Sequence, residues 1–271
     1  MPKYEVKRFS ESYLTGDKSV FGPQLSSGVA EEIGNLVDDV LEIQQIVFGL
    51  STLYRNLPKG KFSTILYPGI IPFDPLPDAI NVSFELESPN LFVAGHHLGY
   101  PVGFNDSEVD GRTRKYLSLD NIKDVLNQYL LARRGPGFLN PKVFTQVHAQ
   151  HTGQQAEWVA QQVQASEAEA VVIMATSGHI TRAFLTQLMA FAKIGVEVPI
   201  IPVPHAINPC SRIVPNMSQN HVEDEDNAFT QAEFSLSEWY KILNYTNDVA
   251  GLAILKKYCQ WLAEYGSFRY M

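Results

Sequence analysis

The amino-acid sequence predicts an α/β fold, a Rossmann-like three-layer sandwich in which a mainly parallel sheet is covered by helices on both faces. Short apolar runs alternate with amphipathic segments of about 10–15 residues, which is the pattern of βαβ units. One run, residues 170–175 (AVVIMA), is apolar throughout, as expected for a central parallel strand that is covered on both sides. Helical patterns before and after this alternation predict an N-terminal helical extension and C-terminal helices.

The chain divides into three regions that we expect to form one structural domain. Residues 1–60 form an N-terminal arm and a helical extension, residues 61–207 the α/β core, and residues 208–271 an irregular loop and helices packed on the core. Within the first region, residues 28–57 carry apolar side chains at helical spacing, which predicts one long helix or two short ones. We expect this helical region to pack on the sheet; the alternative is that it forms the surface of a homo-oligomer.

The elements of the core follow from apolar periodicity and from the residues that end each run. Strands are predicted at residues 62–67, 90–94, 142–147, 170–175 and 196–203, each followed by polar residues, Gly or Pro that end it. Helices are predicted at residues 118–135, 152–166 and in the amphipathic segment that ends at 194, whereas residues 74–88 are at best weakly helical. Two more helices are predicted after the irregular loop, at residues 234–245 and 248–265.

Three local signals refine these predictions. Thr152 and Gln155 form the T-x-x-Q pattern of a capping box, in which each side chain binds a free N–H of the first helical turn. Gly195 follows the last apolar residue of its helix and is expected to end it. The prolines within residues 196–205 indicate that this strand either lies at an edge of the sheet or leaves it early, because proline cannot donate to a neighbouring strand.

Composition and charge exclude several classes of partner and indicate a soluble, cytoplasmic protein. The 271 residues carry a formal net charge of −8, and the Lys and Arg residues are scattered. Nucleic acid and anionic membranes require a concentrated basic surface, so neither is expected as a partner. The two cysteines, Cys210 and Cys259, fit a reducing compartment. No secretory leader and no apolar run of the ~18 residues that span a membrane are apparent.

Histidines concentrate at one predicted edge of the sheet. In parallel α/β sheets, ligands bind beyond the carboxyl ends of the strands. Of the seven histidines, all but His221 lie at such ends. These six are His96, His97, His148, His151, His179 and His205. This distribution predicts a functional site at the carboxyl edge.

The stretch ATSGHITRA, residues 175–183, is the best candidate for the centre of that site. It joins the predicted central strand to a helix, whose first N–H groups and positive dipole end favour an anion. Thr176 and Ser177 add hydroxyl donors, Gly178 allows close approach to the backbone, and the Arg182 guanidinium can bind a phosphate or carboxylate at two points. The His179 imidazole can donate to the anion or act as a general acid or base.

Plainer interpretations and other classes of site remain open. The plainer alternative is that Ser177 caps the helix, as serine often does, and that Arg182 pairs with a surface acid. Three of the histidines, His148, His151 and His179, can hold a metal ion, although their spacing matches no recognised zinc motif. A non-catalytic assembly protein is a third possibility. The chain has no G-x-S-x-G, G-x-G-x-x-G or P-loop pattern.

Several of these stretches occur in the same order in one known family. They are Gly69, AGHH (94–97), QVHAQHTGQQA (146–156), ATSGHITRA (175–183), VEVPIIPVPH (196–205) and the helical tail 237–252. The chain resembles the YdcF/SanA/ElyC-like domain family over roughly residues 62–260. The resemblance implies a Rossmann-like domain of largely undefined activity. The chain departs from the family pattern at Gln146, His151 and residues 154–155, where it has neutral amides and an imidazole and the family has acidic and Asn residues.

We therefore expect a protein that binds an anionic, nucleotide-like or phosphorylated metabolite at the strand ends. If it is an enzyme, a transferase or hydrolase is the broadest class; a nucleotide-like or S-adenosylmethionine-like molecule is the expected ligand or cofactor, ahead of a metal. The expected catalytic residues are His179, Arg182 and His151. The expected ligand-binding residues are Gly69, Gly95, His96, His97, His148, Thr152, Gln155, Thr176, Ser177, Gly178 and His205.

Overall fold

A five-stranded, all-parallel sheet forms the centre of the protein, as predicted. The computed structural model describes residues 37–67, 76–94, 124, 141–146, 149, 152–205, 212–213, 229–230, 238–239, 241–242 and 247–265. The strands are β1 (Phe62–Leu66), β2 (Asn90–Ala94), β3 (Lys142–Gln146), β4 (Ala170–Thr176) and β5 (Ile200–His205). Their order across the sheet is β3-β2-β1-β4-β5. The strand β1 is central, and Ile65 lies opposite Phe92 on one side and Ile173 on the other.

Helices cover both faces of this sheet. They are α1 (Val37–Ser51, followed by a 3-10 helix at Thr52–Asn56), α2 (Leu76–Glu85), α3 (Thr152–Ala165), α4 (Ile180–Ile194) and α5 (Leu252–Glu264). Helix α2 packs on β1, α3 and α4 pack on each other, and α1 packs on β5 and α5. Within the described part of the chain, no helix combines the length and apolar character that crossing a bilayer requires.

The core is one continuous cluster that extends from Val40 in α1 to Leu262 in α5. Every residue of β4 is buried, which confirms the prediction that this strand is covered on both faces. On α1, Val40, Ile43 and Val47 are buried, so this part of the helical extension packs on its own sheet. The residues before 37, including the start of the predicted helix, lie outside the described residues.

Helix α2 is better formed than its sequence suggested. Its side chains Ala79, Ile80 and Phe84 are buried at helical spacing. Pro77 is the second residue of the helix, where the missing N–H would have had no partner in any case. The prediction of weak helicity for residues 74–88 was therefore wrong, because proline in a first turn does not oppose a helix.

Other boundaries agree with the predictions to within a few residues. Strand β2 ends as predicted, β1 and β3 end one residue earlier, and β5 begins and ends later than predicted. Gly195 ends α4 with a left-handed φ of 73°, and its N–H donates to the Phe191 carbonyl, as expected for a C-cap glycine. Strand β5, with its two prolines, is an edge strand. The region predicted as an irregular loop contains a short antiparallel pair, β6 (Arg212–Ile213) and β7 (Phe229–Thr230).

One predicted element falls mostly outside the described residues. Of the helix expected at residues 118–135, the structure describes only Asp124, which is helical. Near the C-terminus, the described residues 238–239 and 241–242 are helical, within the helix predicted at 234–245. Both Trp239 and Ile242 are buried in the core cluster, so this segment lies against the α/β core.

Candidate functional site

The order of the strands locates the point in the sheet where a ligand is expected. From β1 the chain passes to β2 and β3 on one side, and then returns to β4 and β5 on the other. The carboxyl ends of β1 and β4 therefore flank the topological switch point, which is the usual ligand-binding crevice of an open parallel sheet. Tyr67 follows β1 at this point; Thr176 is the last residue of β4, and Ser177, Gly178 and His179 follow it.

The backbone between β4 and α4 is held by hydrogen bonds on both sides. The Ser177 N–H donates to the carbonyl of His205 at the end of β5 (3.0 Å), and the His179 N–H donates to the Thr176 carbonyl (2.8 Å). His179 is the N-cap residue of α4, and its side chain does not cap the helix. The N-cap position predicted as an alternative for Ser177 therefore belongs to His179, whose imidazole is available for other contacts.

The His179 imidazole belongs to a buried group of charged side chains, His179, Arg182, Glu238 and Lys241, which we call the charged cluster. The Nδ1 atom of His179 lies 2.6 Å from Oε2 of Glu238, and the Nε–H of Arg182 donates to the same oxygen. The Nζ of Lys241 donates to Oε1 of Glu238 over 2.8 Å. The Glu238 side chain is only 3% exposed, so its charge is compensated by protein groups and not by water.

Burial and neighbouring charges set the ionisation of the charged cluster. Burial by itself would raise the pKa of Glu238, but the charges of Arg182 and Lys241 outweigh it and hold this pKa well below 4.5. Burial lowers the pKa of His179 below 6.5; Glu238 opposes this effect and Arg182 adds to it. Burial likewise lowers the pKa of Lys241, against the attraction of Glu238. At neutral pH the cluster therefore holds an ionised carboxylate and an uncharged imidazole.

Tyr67 forms one wall of this site. Its ring meets the His179 ring edge to face, with the ring centroids 6.4 Å apart. The Tyr67 hydroxyl donates to Oε1 of Gln187, and the Gln187 amide donates to the Ala156 carbonyl over 3.1 Å. Complete burial raises the pKa of Tyr67. The phenol is therefore neutral, and its hydroxyl links β1 to α3 and α4.

A second histidine and carboxylate meet at the end of β5. The Nδ1 atom of His205 lies 2.5 Å from Oδ2 of Asp78, which belongs to the first turn of α2. The two atoms are close, but their orientation is not that of a hydrogen bond, and this buried nitrogen has no hydrogen-bond partner in the described structure. Asp78 is half exposed, so water can reach the carboxylate.

Thr152 and Gln155 begin helix α3 and are both buried. The Gln155 side-chain amide donates to the carbonyl of Ala94, the last residue of β2, over 2.5 Å. The capping box predicted at Thr152 and Gln155 thus differs from the observed contact, because Gln155 joins the helix to β2 and Thr152 is already inside the helix. Gln155, which is among the residues expected to bind a ligand, thus uses its side-chain amide to bind the protein backbone.

The structure brings some of the predicted site residues together and leaves others undescribed. Around the switch point lie Thr176, Ser177, Gly178, His179 and Arg182, with His205 next to Ser177. Gly69, Gly95, His96, His97, His148 and His151 lie outside the described residues. Those residues include two of the three histidines of the metal alternative. Among the described residues, no three His, Cys, Asp or Glu side chains are grouped as metal ligands would be.

Sequence reasoning missed Glu238, Lys241, Tyr67 and Asp78. The acid and base at Glu238 and Lys241 are three residues apart, a spacing that is typical of an exposed ion pair on a helix. The signal that could have identified them is that their neighbours Trp239 and Ile242 are apolar, and both are buried in the structure. Apolar neighbours indicate that the whole segment, including its charged residues, packs on the core. The alternative that Arg182 pairs with an acid is correct, although the acid is buried and not on the surface.

Comparisons of this chain with family models, with curated proteins and with solved structures found no match.

Proposed function

We propose that this protein binds a small anionic metabolite, nucleotide-like or phosphorylated, between the carboxyl ends of β1 and β4. If the protein is an enzyme, His179 acts there as an acid or base in a transfer or hydrolysis reaction. The position at the switch point supports the proposal, since this is where open parallel sheets bind their ligands. The residues assigned to the anion are Thr176, Ser177 and Arg182, at the start of α4.

The Arg182 guanidinium is the observation that carries this proposal. A guanidinium has five N–H donors, and Arg182 uses its Nε–H for Glu238. Of its remaining donors, Nη2 lies 3.4 Å from Nδ1 of His179, which is a weak contact because Nδ1 is directed at Glu238, and the others have no partner among the described residues. The side chain is 14% exposed, so these donors are partly buried and an anionic ligand would satisfy them with charge-assisted hydrogen bonds.

The alternative explanation is that the charged cluster is purely structural, because Glu238 already places an anion beside Arg182. A buried salt bridge can join two elements without binding any ligand. In that case Arg182, Glu238 and Lys241 serve only to attach residues 238–242 to α4. The experiment must therefore separate ligand binding from folding.

We expect a thermal-shift screen against nucleotides, sugar phosphates and S-adenosylmethionine, with and without a chelator, to identify a phosphorylated class of ligand. A ligand at about 100 times its Kd adds about 2.7 kcal/mol of stability, which is readily detected. The shift should disappear in Arg182→Lys, which keeps the charge beside Glu238 but loses the planar fork of donors. It should persist in Lys193→Ala, which removes an exposed cation from the last turn of the same helix.

Unchanged ligand affinity in a folded Arg182→Lys protein would contradict the proposal. A loss of stability on adding the chelator alone, with no response to metabolites, would instead favour the metal alternative. Circular dichroism of each variant in the absence of ligand shows whether the fold is intact.

A further inference from the structure

We propose that Glu238 is a positioning residue that holds the proton of His179 on Nδ1 and leaves Nε2 of the ring as a hydrogen-bond acceptor. A neutral imidazole can carry its proton on either nitrogen, and the partner of one nitrogen decides the role of the other. The partner here is Oε2 of Glu238, 2.6 Å from Nδ1. The inference concerns the same site as the proposed function and specifies what its histidine can do.

The contacts of Glu238 decide which nitrogen is protonated. Its carboxylate accepts from Lys241 at Oε1 and from Arg182 at Oε2. Held between two cations it is ionised, and an ionised carboxylate can only accept hydrogen bonds. The close contact with Nδ1 therefore requires a proton on Nδ1. Because that nitrogen is then a donor, the 3.4 Å approach of Arg182 Nη2 to it is a contact and not a hydrogen bond.

The surroundings of the ring disfavour a second proton. Among the described residues, four titratable groups from three parts of the fold face it: Tyr67 after β1, Arg182 on α4, and Glu238 and Lys241 near the C-terminus. The two cations oppose a positive charge on His179, and burial opposes it too; the one carboxylate favours it but is shared with both cations. Tyr67 presents its ring and directs its hydroxyl to Gln187.

The tautomer restricts the ligand that fits the site. No described residue donates to Nε2 of His179, and this atom carries a lone pair. It can accept a hydrogen bond from a hydroxyl or a water, whereas an anionic oxygen in the same place would face another acceptor. If the proposed function is correct, the ligand therefore carries a hydroxyl or amine donor beside its anionic group. In an enzyme, His179 would act as a base that takes a proton onto Nε2 only while the ligand is bound, because the anionic group of the ligand would offset the cations that oppose this charge.

The tautomer can be measured in the ligand-free protein by nitrogen NMR of 15N-histidine-labelled full-length chain at pH 7.5. The His179 signals are identified by their loss in His179→Gln. We expect a protonated, pyrrole-type signal for Nδ1 and a pyridine-type signal, shifted strongly downfield, for Nε2. In Glu238→Gln the single tautomer should be lost. The matched substitution Glu169→Gln, which breaks an exposed ion pair with Lys61, should leave the His179 signals unchanged.

Three results would overturn the inference: a proton on Nε2, an equal mixture of tautomers, or a doubly protonated ring in the unsubstituted protein. A folded Glu238→Gln protein that kept the original signals would show that Glu238 does not position the proton. If Glu238→Gln does not fold, the spectrum of the unsubstituted protein still decides. The NMR measurement uses the ligand-free protein, so it does not depend on the ligand screen. If the expected tautomer is found and the screen fails, the proposed function is refuted and the tautomer assignment stands.

Discussion

At the scale of single residues, the stability of the site depends on how one buried carboxylate is compensated. Glu238 is distant in sequence from His179 and Arg182, yet its two oxygens bind side chains from both α4 and its own segment. A buried ion pair contributes little net stability compared with apolar residues, but removing one partner leaves the others in an unfavourable environment. Removing Glu238 is therefore expected to destabilise the fold by more than its ion pairs with Arg182 and Lys241 stabilise it.

We expect Glu238→Ala to lower the free energy of unfolding by about 3–5 kcal/mol, because Arg182 and Lys241 lose a buried acceptor that they share. Urea unfolding followed by circular dichroism measures the change. Glu169→Ala serves as the control, since its partner Lys61 is about half exposed and such a pair contributes at most about 1 kcal/mol. Equal effects of the two substitutions would contradict the buried arrangement of Glu238.

We also expect stability to fall on acidification in two stages. The pKa of His179 in the folded protein is below 6.5, so the unfolded chain takes up this proton first and the free energy of unfolding decreases as pH falls below 6.5. The folded pKa of Glu238 is well below 4.5, so its contribution is complete above 4.5 and is lost as pH falls further. Urea titrations between pH 8 and pH 3 measure both stages.

The first stage should be smaller in His179→Gln, which has no imidazole to protonate, and the second should be smaller in Glu238→Gln. The same pH dependence in His179→Gln and in the unsubstituted protein would show that burial of His179 does not control the first stage.

At this scale the sequence predicted the part of the site that is local. Thr176 through Arg182 are contiguous, and the change from an apolar strand to polar residues and then to a helix is visible without a structure. Glu238 was not predictable, because its pairing with α4 depends on how the last part of the chain packs on the core. Neither periodicity nor spacing records a contact over 59 positions, as between His179 and Glu238.

At the scale of elements, strand β5 shows how an edge of the sheet is protected. In a strand of a parallel sheet, each residue directs both its N–H and its C=O to one side, and the next residue directs both to the other side. The Val171 N–H of β4 donates to the Pro199 carbonyl, so the polar groups of the next residue, Ile200, point away from β4. The Tyr258 hydroxyl of α5 satisfies both: it accepts from the Ile200 N–H (2.8 Å) and donates to the Ile200 carbonyl (2.7 Å).

We expect Tyr258→Phe to lower the free energy of unfolding by about 1–3 kcal/mol, since it leaves the two Ile200 groups buried without this partner. Chemical denaturation measures the effect. Tyr54→Phe is the matched control, because the Tyr54 hydroxyl binds Glu85 in an exposed position and such substitutions usually change stability by less than about 0.5 kcal/mol. An equally small effect at Tyr258 would show that water replaces the hydroxyl at the edge of β5.

The sequence predicted the elements better than their junctions. Apolar periodicity gave all five strands, and the edge position of β5 is one of the two alternatives that its prolines indicated. The helix α2 was predicted to be weak because its sequence contains proline, but proline opposes a helix in its interior and not in its first turn. The error at Gln155 arose because a side chain that can cap a helix can also bind a neighbouring strand.

At the scale of the whole molecule, the two ends of the described chain pack on the same core. Helix α5 buries Leu255, Tyr258 and Leu262 in the cluster that also contains Val40 and Val47 of α1. The Ala250 N–H, just before α5, donates to the Leu185 carbonyl within α4 over 3.1 Å. The C-terminal helix is therefore part of the support of the sheet.

We expect a chain that ends at residue 246, and so lacks α5, to lose cooperative unfolding. It would expose the apolar side chains of α1 and the Phe184 ring of α4, which α5 contacts, and leave the polar groups of Ile200 unsatisfied. Thermal unfolding followed by circular dichroism and tryptophan fluorescence tests this. A chain that ends at residue 265, after α5, is the control and should unfold in one sharp transition. A cooperative transition in the shorter chain would show that the sheet is stable without α5.

The late position of Glu238 also has a consequence for protein synthesis. The five strands are complete in the growing chain at His205, whereas the carboxylate that orients His179 is added later. At typical elongation rates of 5–20 residues per second, this interval is about two to seven seconds. During that interval the growing chain contains all five strands but lacks both Glu238 and α5, which supports the sheet. The scaffold and the orientation of His179 therefore depend on the same late part of the chain, and neither is complete until it has been translated.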